Sequence, residues 1–178
     1  MSTAGPTLPS TVSTRSIGKV AWTNPTNAQA EDGVFATCTE NTSGTDRLRA
    51  VSFSWALPAG AIVSNILVEV KGKVGSGTAN KIQTSAYDSS FNQYANSATS
   101  SVAFTTTNTW VTNLNASPSA GFSAVAIANG DIYEIDGYAG LNTAWSIDAI
   151  RVTLTYTLPG STVPIIQTRQ AVMRAATR

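Results

Sequence analysis

Apolar and polar residues alternate with a period of two along much of this chain, the pattern of β-strands with one buried face. The clearest run is 66–74, where Ile66, Val68, Val70 and Val74 alternate with Leu67, Glu69, Lys71 and Lys73. Val51, Phe53, Trp55 and Leu57 alternate with Ser52, Ser54 and Ala56, and Ile150, Val152, Leu154 and Tyr156 alternate with Arg151, Thr153 and Thr155. Weaker runs predict strands over 34–37, 81–87, 101–104, 109–114, 123–128 and 132–138. Turn clusters separate them, among them Pro58-Ala59-Gly60, Gly75-Ser76-Gly77 and Asn129-Gly130-Asp131. No repeat of solenoid length is present. Many short strands predict an all-β fold, an antiparallel two-sheet β-sandwich that is jelly-roll-like.

The two ends depart from this pattern. Residues 1–20 hold Pro6, Pro9 and many Ser and Thr, which predicts an extended N-terminal arm. Leu158-Pro159-Gly160 ends the last strand, so the body spans 21–157 and a C-terminal arm spans 158–178. In that arm Thr168 is placed to cap a short helix with Arg169, Val172, Met173 and Ala176 on one face. So short a helix is stable only when docked. The arms carry Arg15, Lys19, Arg169, Arg174 and Arg178 and no acid, whereas the body holds all ten acids and six bases. Basic arms are an electrostatic footprint for an acidic partner surface or for nucleic acid. With Ile165, Ile166, Val172 and Met173 they are the expected partner-binding residues.

Composition narrows the function. Charged residues make up only 12% and the net charge is +1, against about one charged residue in four for ordinary domains. Helical bundles need charged faces, and disordered chains need less apolar content than the 42% found here. There is no histidine, which removes histidine acid/base catalysis, Ser-His-Asp triads and nearly all zinc or copper sites. The single cysteine, Cys38, allows no disulfide within the chain and is expected to be a buried small side chain. No run approaches the roughly 18–20 apolar residues of a membrane span. Met1–Thr14 does not read as a secretory signal, so synthesis in a cytoplasm is expected.

The densest acidic group is Asp131, Glu134, Asp136 and Asp148. Oxygen ligands suit calcium, but the segment lacks a calcium-binding hand's glycine-bent loop, and surface charges pairing with Arg151 and Lys81 are the expected role. A carboxylate pair also serves glycoside hydrolysis, with Glu134 and Asp136 as the residues to test. Gly72, Gly75 and Gly77 sit in a hairpin with no following helix, so they make no phosphate loop. Among the aromatics, Trp55 and Tyr156 are expected in the core. Tyr94 and Trp110, set among Thr, Asn and Ser, are the candidates for exposed receptor or glycan contacts. No catalytic residue, metal or cofactor is expected.

Three ordered segments resemble a known family. They are Trp22-Thr23-Asn24-Pro25-Thr26-Asn27-Ala28 followed by Asp32-Gly33-Val34-Phe35-Ala36-Thr37; Leu57-Pro58-Ala59-Gly60-Ala61-Ile62 followed by Ile66-Leu67-Val68-Glu69-Val70; and Ala149-Ile150-Arg151-Val152-Thr153-Leu154-Thr155-Tyr156. Over about 22–156 the chain is similar to a β-sandwich module of tailed-bacteriophage virion proteins, found in head-decoration, neck and tail-fibre-like proteins. The resemblance implies a non-enzymatic virion protein and transfers no catalytic residue. Its partners would be the major capsid protein or neighbouring virion proteins, in a homo-oligomer with a trimer favoured, without membrane or specific nucleic acid. The alternative is a neck or tail-fibre module that binds a host receptor or glycan.

Residue by residue, Trp22 is expected to anchor the first strand and Asn24-Pro25 to end it. Asp32-Gly33 and Pro58–Gly60 are expected to turn the chain, and Ile62 and Ile66 to re-enter the core.

Overall fold

Ile66, Val68, Val70 and Val74 are all buried, on a strand longer than their alternation suggests. The computed structural model describes residues 1–41, 44–75, 81–88, 93–97, 103–118, 132–138 and 143–158. There the chain is all-β, with one short 3₁₀ turn at Pro25–Ala28. The strands are β1 Ser2–Thr7, β2 Pro9–Arg15, β3 Ala36–Thr39, β4 Arg47–Phe53, β5 Ile62–Val74, β6 Lys81–Tyr87, β7 Gln93–Ser97, β8 Thr109–Ala116, β9 Ile132–Tyr138 and β10 Ala144–Thr157. They form two five-stranded sheets. The first runs β1-β10-β5-β8, with β3 also on β10, and the second runs β2-β4-β9-β6-β7. All pairs of named strands are antiparallel.

One core cluster draws on both sheets. Ile66, Val68, Val70, Ile150, Val152 and Leu154 come from the first, and Val12, Leu48, Ala50, Ile82 and Ala86 from the second. Each fully buried Val, Leu or Ile contributes about 1.5–3 kcal/mol relative to exposure. Cys38 lies in this cluster as expected. Tyr156 and Trp55 are partly buried against it, and Trp55 stacks on Phe53 at 4.9 Å.

The N-terminal segment is extended, as its prolines suggest, but it is no arm. β1 pairs with β10 in the first sheet, β2 pairs with β4 in the second, and Leu8 alone separates them. Beyond β2 the chain stays fixed. Asp46 Oδ1 accepts the amides of Ile17 and Lys19 at 2.9 and 3.0 Å, and Trp22 Nε1 donates to the Asp46 carbonyl at 2.6 Å. Arg15 sits in register opposite Arg47. Thus Arg15 and Lys19 belong to the body, because backbone pairing satisfies a segment whose proline-rich sequence only disfavours helix. Trp22 is buried but anchors a loop rather than a strand.

Strand bounds move where local geometry breaks the period. β4 ends at Phe53, and Ser52 has a φ of 61°. Leu48 and Ala50 therefore point inward on one phase and Phe53 on the other, which leaves Trp55 and Leu57 beyond the strand. Ile62 is 55% exposed although Ile66 is fully buried. A bulge against Thr155 and Tyr156 inserts one residue, so Val63, rather than Ile62, shares the inward face with Ile66. The expected 34–37 strand is Ala36–Thr39, with Val34 left exposed. Phe104 is fully buried outside any named strand. The strands expected over 81–87 and 132–138 are β6 and β9. The turn at Pro58 closes by a bond from Ala61 N to Pro58 O at 3.1 Å. The expected strand over 123–128, and the arm residues Ile165, Ile166, Arg169, Val172, Met173, Arg174 and Arg178, lie outside the described residues.

Gly5 has a φ of +103°, and a Cβ there would stand 2.6 Å from the Val152 carbonyl oxygen. Gly5→Ala should therefore loosen β1 from β10, at about 1–3 kcal/mol for a left-handed strained position. Thermal denaturation should show a midpoint several degrees lower.

Candidate functional site

The richest polar constellation among the described residues lies across β8, β5 and β10 of the first sheet. Its centre is Asp148, which sits in an apolar stretch of β10 where Trp145, Ile147, Ala149 and Ile150 are all buried. Ile147 pairs with Gly72 and Ala149 with Lys71, so Asp148 is the extra residue of a bulge. Gly72 permits this close approach, since a Cβ there would lie 2.8 Å from the Ser146 carbonyl oxygen. The bulge turns the Asp148 side chain away from the core although it remains fully covered.

Both carboxylate oxygens of Asp148 are used. Gly33 N donates to Oδ1 at 2.9 Å and Asn108 Nδ2 to Oδ2 at 2.8 Å, and Lys71 Nζ lies 3.4 Å from Oδ2. Burial alone would raise its pKa, but the bonds from Asn108 and Gly33 and the Lys71 ammonium outweigh burial and hold it below the usual value. One carboxylate thus ties the loop at Gly33 and the loop at Asn108 to β5 and β10.

Lys71 bridges outward to Glu31 at 2.6 Å. Its pKa is raised chiefly by that bond, and Glu31's is lowered by it. Trp110 stands opposite Lys71 in the β5–β8 register, and its indole lowers the Glu31 pKa further. Arg151 holds Glu69 through two parallel bonds, Nε to Oε2 at 2.8 Å and Nη2 to Oε1 at 3.0 Å. Its guanidinium lies 3.9 Å from the centre of the Trp110 ring. Trp110 is therefore half-buried under a cation rather than presenting both ring faces.

This arrangement separates residues that the sequence groups together. Asp148 belongs to the first sheet, whereas Glu134 and Asp136 are on β9 of the second, in register with Ser85 and Gln83. Arg151 takes Glu69 as its carboxylate, not a member of the 131–136 group. Lys81 stands opposite Tyr138 in register. Tyr94 lies in β7. Sequence reasoning missed Glu31, Lys71, Asn108 and the Glu69–Arg151 pair. A lone Asp between apolar neighbours on a strand was the available signal, since buried carboxylates need partners.

Chemically, the site is neutralised from within. A general acid at neutral pH needs a raised carboxyl pKa, and Glu31 and Asp148 are both lowered. Burial, with Glu40 and Asp46 nearby, pushes the Cys38 thiol up to about 11, which keeps it protonated and a poor nucleophile. Among the described residues no three His, Cys, Asp or Glu side chains are grouped to hold a metal.

Asp148→Asn should cost roughly 2–4 kcal/mol in denaturant unfolding, because Lys71 and Asn108 lose a buried acceptor. Asp148's depressed folded pKa also gives a pH dependence. Its stabilisation is complete above the ordinary Asp range, near ~4, and is lost as pH falls through the lower folded value. The acid limb of a stability–pH curve should be shallower in Asp148→Asn. Arg151→Ala should uncover Trp110, shift tryptophan emission to the red and cost about 0.5–1.5 kcal/mol.

Compared with known proteins, the chain matches no family model and no curated protein sequence.

Proposed function

We propose that this chain is a non-enzymatic structural protein of a tailed-phage virion, a capsid decoration or cement protein, with its two sheets forming a jelly-roll-like β-sandwich. The observation that carries this reading is the self-paired surface around Asp148. Glu31, Lys71, Asp148, Glu69 and Arg151 satisfy one another, and Arg151 covers Trp110. Such a surface is close to neutral, which suits packing against other subunits and does not suit proton transfer to a substrate.

The segments that carry the family resemblance support the same reading through structural roles. Trp22 is buried with its indole on Asp46, and Pro58–Ala61 forms a turn. Ile150, Val152 and Leu154 are fully buried. Arg169, Arg174 and Arg178 supply a basic segment for an acidic capsid surface, in a trimer that matches local three-fold symmetry. A receptor or glycan module at the neck or tail fibre is the weaker reading. It would need an open Trp110 face, and one face already lies under Arg151.

The test is co-sedimentation with purified heads that lack their decoration. The full chain should pellet with heads, and a variant ending at residue 157 should stay in the supernatant. A full chain that ignores heads but binds host cells or their surface glycans would overturn the decoration reading.

A further inference from the structure

Asp32-Gly33 lies in the loop between the 3₁₀ turn and β3, and both residues are exposed. An Asp–Gly step is prone to attack on itself. Glycine has no Cβ, so nothing shields its nitrogen from the preceding side-chain carboxyl. A five-membered imide forms and then reopens with the chain running through the side chain, as isoaspartate. The surroundings of Gly33 are open as well, since a Cβ built there meets nothing within 4 Å.

Two contacts oppose this reaction. Gly33 N donates to Asp148 Oδ1 at 2.9 Å, and Asp32 Oδ1 accepts from Val34 N at 2.9 Å. An amide nitrogen attacks only after its proton has been drawn off and its plane has turned toward the carboxyl carbon. The Gly33 proton is instead directed at a fully covered carboxylate on β10. That carboxylate is a poor base, because Asn108 and Lys71 hold it as well. The Asp32 carboxyl, for its part, is bonded to the residue beyond the one that would attack it.

We propose that Asp32-Gly33 is a latent modification site latched by Asp148: the loop keeps its ordinary peptide while the Gly33–Asp148 bond stands, and Asp32 converts to isoaspartate once that bond is lost.

The reaction needs only the chain and water. The bond from Gly33 N to Asp32 Cγ forms, a Cγ–O bond breaks, and the carboxyl OH leaves with the amide proton as water. A second water then adds to the Asp32 main-chain carbonyl carbon. The bond from that carbon to Gly33 N breaks, the hydroxide stays on the carbon and the proton returns to the nitrogen. Mass is unchanged and the backbone is one carbon longer. The lengthened loop no longer brings the Gly33 amide to Asp148 in the same register, so conversion turns a reversible opening into a permanent one. Asp148 then loses a donor in a place where a buried carboxylate needs its partners. The inference concerns one loop and does not depend on where the protein acts.

The chain's other Asp–Gly step, Asp136-Gly137, lies within β9, where Gly137 pairs with Ile82, and serves as an internal reference. The test ages the purified full chain and follows isoaspartate by electron-transfer fragmentation of the tryptic peptide spanning residues 20–47, with folding checked by far-ultraviolet circular dichroism. In the native wild type Asp32 should convert about tenfold or more slowly than in the same chain unfolded in guanidinium, the factor carried by one hydrogen bond to a charged group. Asp148→Ala, folded, should bring Asp32 close to the unfolded rate and leave Asp136 at its wild-type rate. Arg151→Ala loosens the same sheet without removing Asp148 or Gly33, and should keep Asp32 slow. A native wild type that converts Asp32 as fast as the unfolded chain, a folded Asp148→Ala that stays slow, or an Arg151→Ala as fast as Asp148→Ala would each overturn the proposal. Should Asp148→Ala lose its β-spectrum, Asp148→Asn decides. Its neutral side chain holds Gly33 more weakly, so Asp32 should convert faster than in the wild type, and an unchanged rate would overturn the proposal.

Discussion

The first sheet depends on the pairing of β10 along both of its edges. On one side β10 runs against β5 from Trp145–Val74 to Thr157–Ile62. On the other, three separate segments share the work: β1 at Val152–Tyr156, Gln29 at Ala149, and β3 at Ala144–Ile147. A central strand this apolar cannot leave its amides unpaired, because a buried backbone group without a partner costs free energy comparable to a lost hydrogen bond. That constraint recruits the N-terminus, the 3₁₀ turn and β3 to one edge, and it explains why residues 2–7 are a strand rather than a free tail.

The same constraint shapes the polar groups. Asp148 enters β10 as a bulge residue, and four groups from different parts of the chain converge on it or on its lysine: Gly33, Asn108, Lys71 and Glu31. A buried carboxylate is tolerated only when it is bonded and paired. The loops that supply those partners are thereby fixed over the sheet. Glu69 and Arg151 continue the pairing and cover Trp110. The result is a surface whose charges are spent on each other.

A second polar set works at the other edge of β10. Asp46 holds the amides of Ile17 and Lys19 and, through its carbonyl, the Trp22 indole, while Glu40 accepts the Trp145 indole at 2.9 Å. Val20 bridges to Thr45 while its carbonyl also accepts from Cys38 Sγ at 3.5 Å, which ties this loop to β3.

The alternation of Ile66, Val68 and Val70, and of Ile150, Val152 and Leu154, determined the all-β class and the buried faces of β5 and β10, because a period of two follows from strand geometry and needs no neighbour to be read. The spans of β6 and β9 were legible for the same reason. The bulges at Ser64, Asn113 and Asp148 and the phase change at Ser52 were not, since each depends on what the opposing strand offers. Nor was the fate of residues 2–15: proline and threonine excluded helix there, and only the open edges of β10 and β4 made them strands. At the candidate site Trp110 and Asp148 were visible as residues. Their partners lie 40 to 115 positions away in sequence for Asn108 and Gly33, and only the tertiary fold brings such distant groups within hydrogen-bonding reach.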